Sequence, residues 1–386
     1  MTVPATRPID AAAYAEAERR LAELLDTNRD VLVLQGEAIL LLEAAARGLG
    51  GPGLRALNLV SGPYGEVIGD WLAVGGATVQ HHAVGLDRAL DPEAVAAALG
   101  REQFDLVSVV HAESATGVVN PLGEIAAAAH AAGALILVDA VGSVGAEPLL
   151  IDEWDLDLVM MGPQKALAGP AGVSALIAND RGWDQIAANP SAPRSSSLSL
   201  LDWKQLWIDA GRQRLYGYAY QHEMRALLEA LEVLDGDVGL ARVVQRHQLA
   251  AAAARAGARA LGLQLWVADE REAGSVVTLV RPPEDVSITT FLESTARYLD
   301  GGQPGLLAPA PGPLADVALR INHTGEAARA EPVLAALSAL AGGLRRLGYS
   351  PDLDAALAAA DRALFGASPE AADGDKPSSP VNVSAS

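Results

Sequence analysis

Met-Met-Gly-Pro-Gln-Lys-Ala-Leu-Ala-Gly-Pro, residues 160–170, is the stretch of this sequence that decides its fold. It places Lys165 in a turn punctuated by glycine and proline, directly after a strand-like run over 157–160. Another apolar run, over 134–138, ends on Asp139. A lysine and an aspartate at the carboxyl ends of two buried strands suit pyridoxal chemistry. The lysine amine forms a Schiff base with the cofactor aldehyde, and the carboxylate keeps the pyridine nitrogen protonated.

The composition sets the class of protein. The chain has 386 residues, half of them hydrophobic, which is enough for a large core and predicts two domains. It contains no cysteine, which excludes disulfides, thiolate metal sites and a cysteine nucleophile and fits a cytoplasmic location. The net charge of −20 argues against nucleic-acid binding. Neither a secretory signal nor an apolar stretch of membrane-spanning length is visible, and no histidine pattern predicts a metal site.

Strand and helix signals alternate from Val31 to about Ile177. The predicted strands are 31–34, 56–60, 77–81, 106–111, 134–139, 156–160 and 173–178, and the predicted helices between them include 36–49, 65–73, 92–99 and 122–132. This alternation predicts an α/β fold, with a mainly parallel sheet flanked by helices on both faces. In such sheets ligands bind at the carboxyl ends of the strands, where Lys165 and Asp139 are expected.

The rest of the chain predicts a second, smaller domain. An amphipathic helix over 11–27 opens the chain and is assigned to a large cofactor-binding domain, residues 1–238. A long helical region over 221–261 has a break near Gly236, and strand signals then mix with helices, which predicts a C-terminal α+β domain over 239–365. Residues 366–386 are rich in Pro, Ser, Ala and Asp without periodicity, and they are predicted to be a disordered tail.

Several strings resemble one family. Residues 138–145 read Val-Asp-Ala-Val-Gly-Ser-Val-Gly, 162–165 read Gly-Pro-Gln-Lys, and 111–121 read His-Ala-Glu-Ser-Ala-Thr-Gly-Val-Val-Asn-Pro. Residues 319–325, Leu-Arg-Ile-Asn-His-Thr-Gly, resemble the Arg-Ile-Gly-His-Met-Gly string that carries a substrate-binding arginine. In this order, from about residue 10 to 365, the chain resembles the class V aminotransferases of pyridoxal-phosphate fold type I.

The resemblance implies a role for each matching residue. Lys165 moves the proton between substrate and cofactor, Asp139 holds the pyridinium, and Tyr64 stacks on the ring. Arg320 offers a two-pronged donor to the substrate carboxylate. The resemblance also implies cofactor contacts from a further set of residues in the matching strings, namely Gly36, Glu37, Ala38, Ser114, Thr116, Val141 and Gln164.

Glu37 departs from the pattern of ordinary members. There the segment after the first strand carries hydroxyls that, with helix N-terminal amides, bind the cofactor phosphate. A carboxylate beside a phosphate dianion costs on the order of 1–4 kcal/mol per charge pair near a protein surface. One interpretation is that Glu37 remakes this site for free pyridoxal or pyridoxamine bound as a substrate, as in pyridoxamine–pyruvate transaminases. The other is that Glu37 turns away and only interacts with the helix dipole.

The predicted activity is the transfer of an amino group, through a lysine Schiff base, from a small-molecule amine to a small 2-oxo acid. The sequence resembles the pyridoxamine–pyruvate branch, although Pro311 stands where that branch has a second arginine. The alternatives are an ordinary enzyme of the alanine/serine–glyoxylate type that holds pyridoxal 5'-phosphate, a lyase of the same fold, and a non-catalytic descendant. Tyr216, Tyr218 and Tyr220 lie where the family extends a loop into a neighbouring subunit, which implies a homodimer or homotetramer.

Overall fold

A computed structural model describes residues 8–235, 239–299 and 305–366. Its strands are β1 Asp30–Gln35, β2 Arg55–Val60, β3 Thr78–Ala83, β4 Leu106–Val110, β5 Ala112–Glu113, β6 Val118–Val119, β7 Leu135–Asp139, β8 Leu158–Met161, β9 Val173–Ala178, β10 Val277–Val280, β11 Leu307–Pro309 and β12 Leu319–Asn322. The helices are α1 Ala11–Leu24, α2 Ala38–Leu49, α3 Pro63–Gly75, α4 Pro92–Leu99, α5 Leu122–Ala131, α6 Asp180–Ala188, α7 Leu200–Trp203, α8 Gln221–Val233, α9 Gly239–Ala260, α10 Ile288–Ala296, α11 Ala330–Arg346 and α12 Leu353–Phe365.

Seven strands form the central sheet, in the order β1-β9-β8-β7-β4-β2-β3. Neighbouring strands from β3 to β8 pair in parallel, whereas β9 runs antiparallel to both β8 and β1. The middle strands are buried along their whole length, as expected where helices cover both faces of a sheet. The parallel strands therefore present their carboxyl ends at one edge, which brings the ends of β4, β7 and β8 together. The expected α/β fold with a mainly parallel sheet is confirmed.

Local sequence sets several of the boundaries. Helix α1 ends at Leu24, earlier than the predicted 27, because Asp26 adopts a left-handed backbone with φ of 48°. Helix α4 keeps its predicted bounds, since the Asp91 side chain accepts from the Glu93 N–H and a proline follows at the first helical position.

The C-terminal part builds its own smaller sheet. Strands β10, β12 and β11 pair antiparallel in that order, and apolar residues of α9 to α12 form a second core against them. Strand β11 and helix α12 were not predicted from the sequence. The predicted domain boundary after residue 238 and the predicted tail beyond Gly366 lie outside the described residues, so the domain limits stay a prediction.

No helix in the described part of the chain combines the length and the apolar character that a membrane crossing needs. The cytoplasmic location was inferred from composition and stays a prediction.

Candidate active site

Lys165 lies in a tight turn, four residues beyond the buried end of β8. Backbone hydrogen bonds close this turn: the Ala168 N–H donates to the Lys165 carbonyl at 3.1 Å, and the Gly169 N–H donates to the Pro163 carbonyl at 2.8 Å. The lysine Nζ donates to Ser114 Oγ at 2.7 Å. Burial lowers the pKa of the amine, while the nearby carboxylates of Asp139, Glu113 and Glu37 act in the opposite direction. The amine is thus held in a fixed place and is easier to deprotonate than a surface lysine.

Asp139 ends strand β7 and is almost completely buried, with 3% of its surface exposed. Its Oδ1 accepts from the Val141 N–H at 2.8 Å. Burial raises the pKa of this carboxyl group, and the charge of Lys165 partly offsets that effect. Among the described residues Asp139 forms no salt bridge, so a buried carboxylate is available for a cationic ligand.

Tyr64 stands on the first turn of α3, beside the lysine. Its ring centroid is 5.4 Å from Lys165 Nζ, and the side chain is partly buried. Burial is the main cause of its raised pKa, followed by the charges of Glu113, Asp139 and Glu37. Tyr64 therefore forms one wall of the space next to the amine, a position from which a flat ring can be stacked.

Glu113 was quoted in a family string but was not predicted as a site residue. It is fully buried, and its two carboxylate oxygens accept from different backbone N–H groups, of Tyr64 at 3.2 Å and of Ala115 at 3.1 Å. Burial raises its pKa to about 7, and the charge of Asp139 adds to the increase. An acidic residue within a buried run was the signal in the sequence that could have revealed it.

Glu37 caps helix α2 and also contacts the lysine turn. Its Oε2 accepts from the Ile39 N–H at 2.8 Å, and its Oε1 accepts from Gln164 Nε2 at 2.8 Å. Gly36 and Ala38 flank it in the chain. Because Glu37 is exposed and its charge acts on Lys165, Asp139 and Tyr64, this carboxylate belongs to the same site.

Arg320 lies on β12, between Leu279 of β10 and Ala308 of β11. The side chain is partly buried, and burial lowers its pKa, while Tyr64 acts in the opposite direction. Its Nε is buried without a hydrogen-bond partner among the described residues. No carboxylate of the described residues pairs with this guanidinium beside Tyr64, so it is suited to receive one from a ligand.

Two of the predicted cofactor contacts have other partners. Thr116 is fully buried, and its hydroxyl donates to the Ser61 carbonyl at 3.4 Å, so it supports the loop before Tyr64. Val141 contributes its backbone N–H to Asp139. The structure also shows a contact that the sequence did not predict, since Gly325 packs against the Lys165 carbonyl with a backbone φ of 59°.

Comparison with known proteins agrees with this geometry. The chain matches the family Aminotransferase class-V over residues 11–299. The chain belongs to the class V aminotransferases. This class V aminotransferase is 34% identical over 355 residues to a pyridoxamine–pyruvate transaminase of Mesorhizobium japonicum, covering 90% of this chain and 88% of the relative.

Two solved structures extend the comparison. The crystal structure of pyridoxamine–pyruvate aminotransferase from Mesorhizobium loti superposes with a TM-score of 0.86 at 31% identity, covering 93% of this chain and 90% of that one. The ureidoglycine–glyoxylate aminotransferase of Bacillus subtilis superposes with a TM-score of 0.82 at 27% identity, covering 93% and 92%. The expected family, fold and transaminase class are therefore confirmed.

The family implies a pyridoxal-type cofactor, and the residues of this class V aminotransferase fit one. A protonated pyridine nitrogen would pair with the buried Asp139 carboxylate, which forms no salt bridge among the described residues although the charge of Lys165 acts on it. The Lys165 amine lies close to the Ser114 hydroxyl and the Tyr64 ring, so a reactive amine and a stacking surface, the two contacts that an aldehyde-bearing ring needs, stand side by side. The residue types at these positions therefore suit a pyridoxal-type ring, in agreement with the family.

Proposed function

We propose that this aminotransferase transfers the amino group of pyridoxamine to a small 2-oxo acid such as pyruvate, and binds the ring without its phosphate. The observation that carries the proposal is the position of Glu37. Its carboxylate occupies the N-terminus of α2 and accepts from Gln164, so it takes up donors that ordinary members use for phosphate. A relative named for pyridoxamine and pyruvate matches this sequence over most of its length, and a solved structure named for the same reaction superposes on most of this chain.

Each side chain of the site has a separate role in the proposed reaction. When bound, the ring supplies an electron sink for the carbon that loses a proton. Lys165 Nζ takes up and returns that proton, which its lowered pKa favours. Asp139 would hold a proton on the ring nitrogen, and Tyr64 would offer a stacking surface beside the amine. Arg320 would bind the carboxylate of the oxo acid and orient its carbonyl carbon toward the amine of pyridoxamine, which it receives as the carbonyl oxygen leaves as water.

The second candidate is an ordinary transaminase of the alanine/serine–glyoxylate type that holds pyridoxal 5'-phosphate. The exposure of Glu37 favours it, because an exposed glutamate can rotate into solvent and leave the helix N-terminus to an anion. Gln164 would then be free to donate to the phosphate.

Titration of the purified protein with pyridoxal and with pyridoxal phosphate, followed by visible absorbance, separates the two candidates. Lys165→Ala serves as the control for lysine-dependent binding. Tight binding of free pyridoxal and weak binding of the phosphate supports the proposal, and the next assay is pyridoxamine with pyruvate. The reverse preference contradicts it and leaves the second candidate. Formation of pyruvate and ammonia without an oxo acid would indicate a lyase.

We further propose that a second copy of the chain covers the open side of the site. Tyr218 and Tyr220 are 94% and 55% exposed, and Leu40 is 48% exposed. The Tyr218 carbonyl accepts from Gln35 Nε2 at 2.8 Å, which places this apolar surface beside Glu37. Light scattering of Tyr218→Asp and of the wild type should show a smaller assembly for the variant, and equal masses would contradict the proposal.

A further inference from the structure

We propose that Glu113 is a positioning residue whose carboxylate fixes Tyr64 and Ser114 at a set distance around the Lys165 amine. The proposal adds a residue that the proposed function does not use. It rests on the proposed function only because one of its two tests measures the absorbance of the bound ring.

The geometry around Glu113 is that of a clamp between two chain segments. One oxygen accepts from Tyr64, at the start of α3, and the other accepts from Ala115, directly after the residue that binds Lys165. The 61–64 loop also approaches very closely, since a Cβ on Gly62 would lie 2.2 Å from the Glu113 side chain. A side chain at position 62 would push the two segments apart, so the glycine and the glutamate form one fitted contact.

The carboxylate form is the one that suits this contact. Two N–H donors need two acceptor oxygens, whereas a protonated carboxyl group keeps only one good acceptor. The titratable groups facing Glu113 come from three other elements, namely the carboxyl group of Asp139 at the end of β7, the amine of Lys165 in the turn after β8, and the neutral phenol of Tyr64 on α3. Burial brings its pKa to about 7, so both forms are populated near neutral pH.

The position of Glu113 gives it influence on the amine without contact to the reacting atoms. Its charge raises the pKa of Lys165 and opposes the effect of burial. Loss of that charge is therefore expected to make the amine more acidic, while loss of an acceptor oxygen loosens the Tyr64 loop. If Glu113 were purely structural, its replacement would loosen the Tyr64 loop but leave the pKa of the Lys165 amine unaltered.

The test uses Glu113→Gln, which keeps the size of the side chain and removes one acceptor and the charge. Glu147→Gln is the matched control, because Glu147 is also buried and accepts a backbone N–H, from Ser275 at 2.5 Å, yet does not act on the pKa of Lys165. Hydrogen exchange of the backbone amides, measured by NMR on the unliganded protein, reports the clamp. The pH titration of the lysine-dependent absorbance band, with whichever of pyridoxal or its phosphate binds, reports the amine.

We expect Glu113→Gln to speed exchange of the Tyr64 or Ala115 amide on the order of tenfold and to shift the band titration to lower pH. Glu147→Gln should leave both unchanged. Unaltered exchange or an unaltered titration in Glu113→Gln, or the same changes in the control, would overturn the proposal.

Two further measurements cover the cases in which the variant does not fold or no absorbance band appears. If Glu113→Gln does not fold, the wild type is followed alone, and protection of the Tyr64 amide, corrected for intrinsic exchange, should fall as the pH is lowered through 7. Protection that is independent of pH there contradicts the proposal. If neither ring compound gives a band, the proposed function fails, and the exchange data still decide the role of Glu113.

Discussion

Replacing Glu37 by glutamine should shift the proposed ring preference from the free form toward the phosphate. Glutamine has the same size, and its side-chain oxygen can still accept from Ile39, so helix α2 keeps its cap. The substitution removes the negative charge that faces any phosphate bound at this N-terminus. It also turns a charge-assisted bond from Gln164 into a neutral one.

The magnitude follows from the exposure of Glu37. Because the side chain faces solvent, the water-like limit of about 1 kcal/mol per pair of unit charges at 4 Å applies. A phosphate that carries close to two charges therefore gains about 2 kcal/mol, or a roughly 30-fold lower dissociation constant. Free pyridoxal, which has no such charge, should lose no more than about tenfold, from the weaker hydrogen bond.

Absorbance titrations of wild type and Glu37→Gln with both ring compounds measure this change directly. Asp91→Asn is the matched control, because Asp91 caps α4 through the Glu93 N–H at 3.0 Å and lies outside the site. The ratio of the two dissociation constants should move toward the phosphate in Glu37→Gln alone, and less so at high salt. An unchanged ratio, or an equal change in the control, would refute the electrostatic argument.

Three further predictions concern the arginine, the buried glutamate and the lysine turn. Arg320→Lys should raise the KM for the oxo acid by about 10- to 100-fold with a smaller effect on kcat, because a single ammonium group cannot bind a carboxylate through two parallel hydrogen bonds. Steady-state kinetics measures both constants, and an unchanged KM would show that Arg320 does not bind the oxo acid. The unfolded chain releases the Glu113 proton near pH 4.5 and the folded chain only near 7, so raising the pH across this window should lower the free energy of unfolding by about 3 kcal/mol. Denaturant titrations should show a smaller loss in Glu113→Gln, and parallel curves would contradict the raised pKa. Gly325→Ala should lower the free energy of unfolding by about 1–3 kcal/mol more than Gly348→Ala does, because both glycines have a positive φ but only Gly325 lies against the Lys165 carbonyl. Equal losses in denaturant titrations would show that this contact does not contribute to stability.

Much of the fold was predictable from local patterns. The continuous apolar runs that became β4 and β7 are typical of strands buried on both faces, and they required no knowledge of their neighbours. The antiparallel β9 and the short β11 were less accessible, because strand direction and edge pairing depend on partners elsewhere in the chain. Helix α12 was missed although its residues are strongly helix-forming.

The candidate site divides in a similar way. Lys165 and Asp139 could be inferred because each follows a recognisable strand, and parallel strands bring their carboxyl ends to the same edge. The contacts of Glu113 could not be inferred, because its partner Tyr64 lies 49 positions away.

The sequence by itself determined the α/β class through its periodicity and the two strand-end residues through residue type at local turns. The likeness to class V aminotransferases came from the matching strings. Only the tertiary structure decided that Glu37 meets Gln164, 127 positions away, and that Ser114 meets the Lys165 amine, 51 positions away. Only the tertiary structure placed the buried Glu113 carboxyl group between the Tyr64 and Ala115 backbone amides. The physical reason is that a residue's tendency to be buried is encoded nearby, whereas its hydrogen-bond partners and its pKa depend on the groups that packing brings to it.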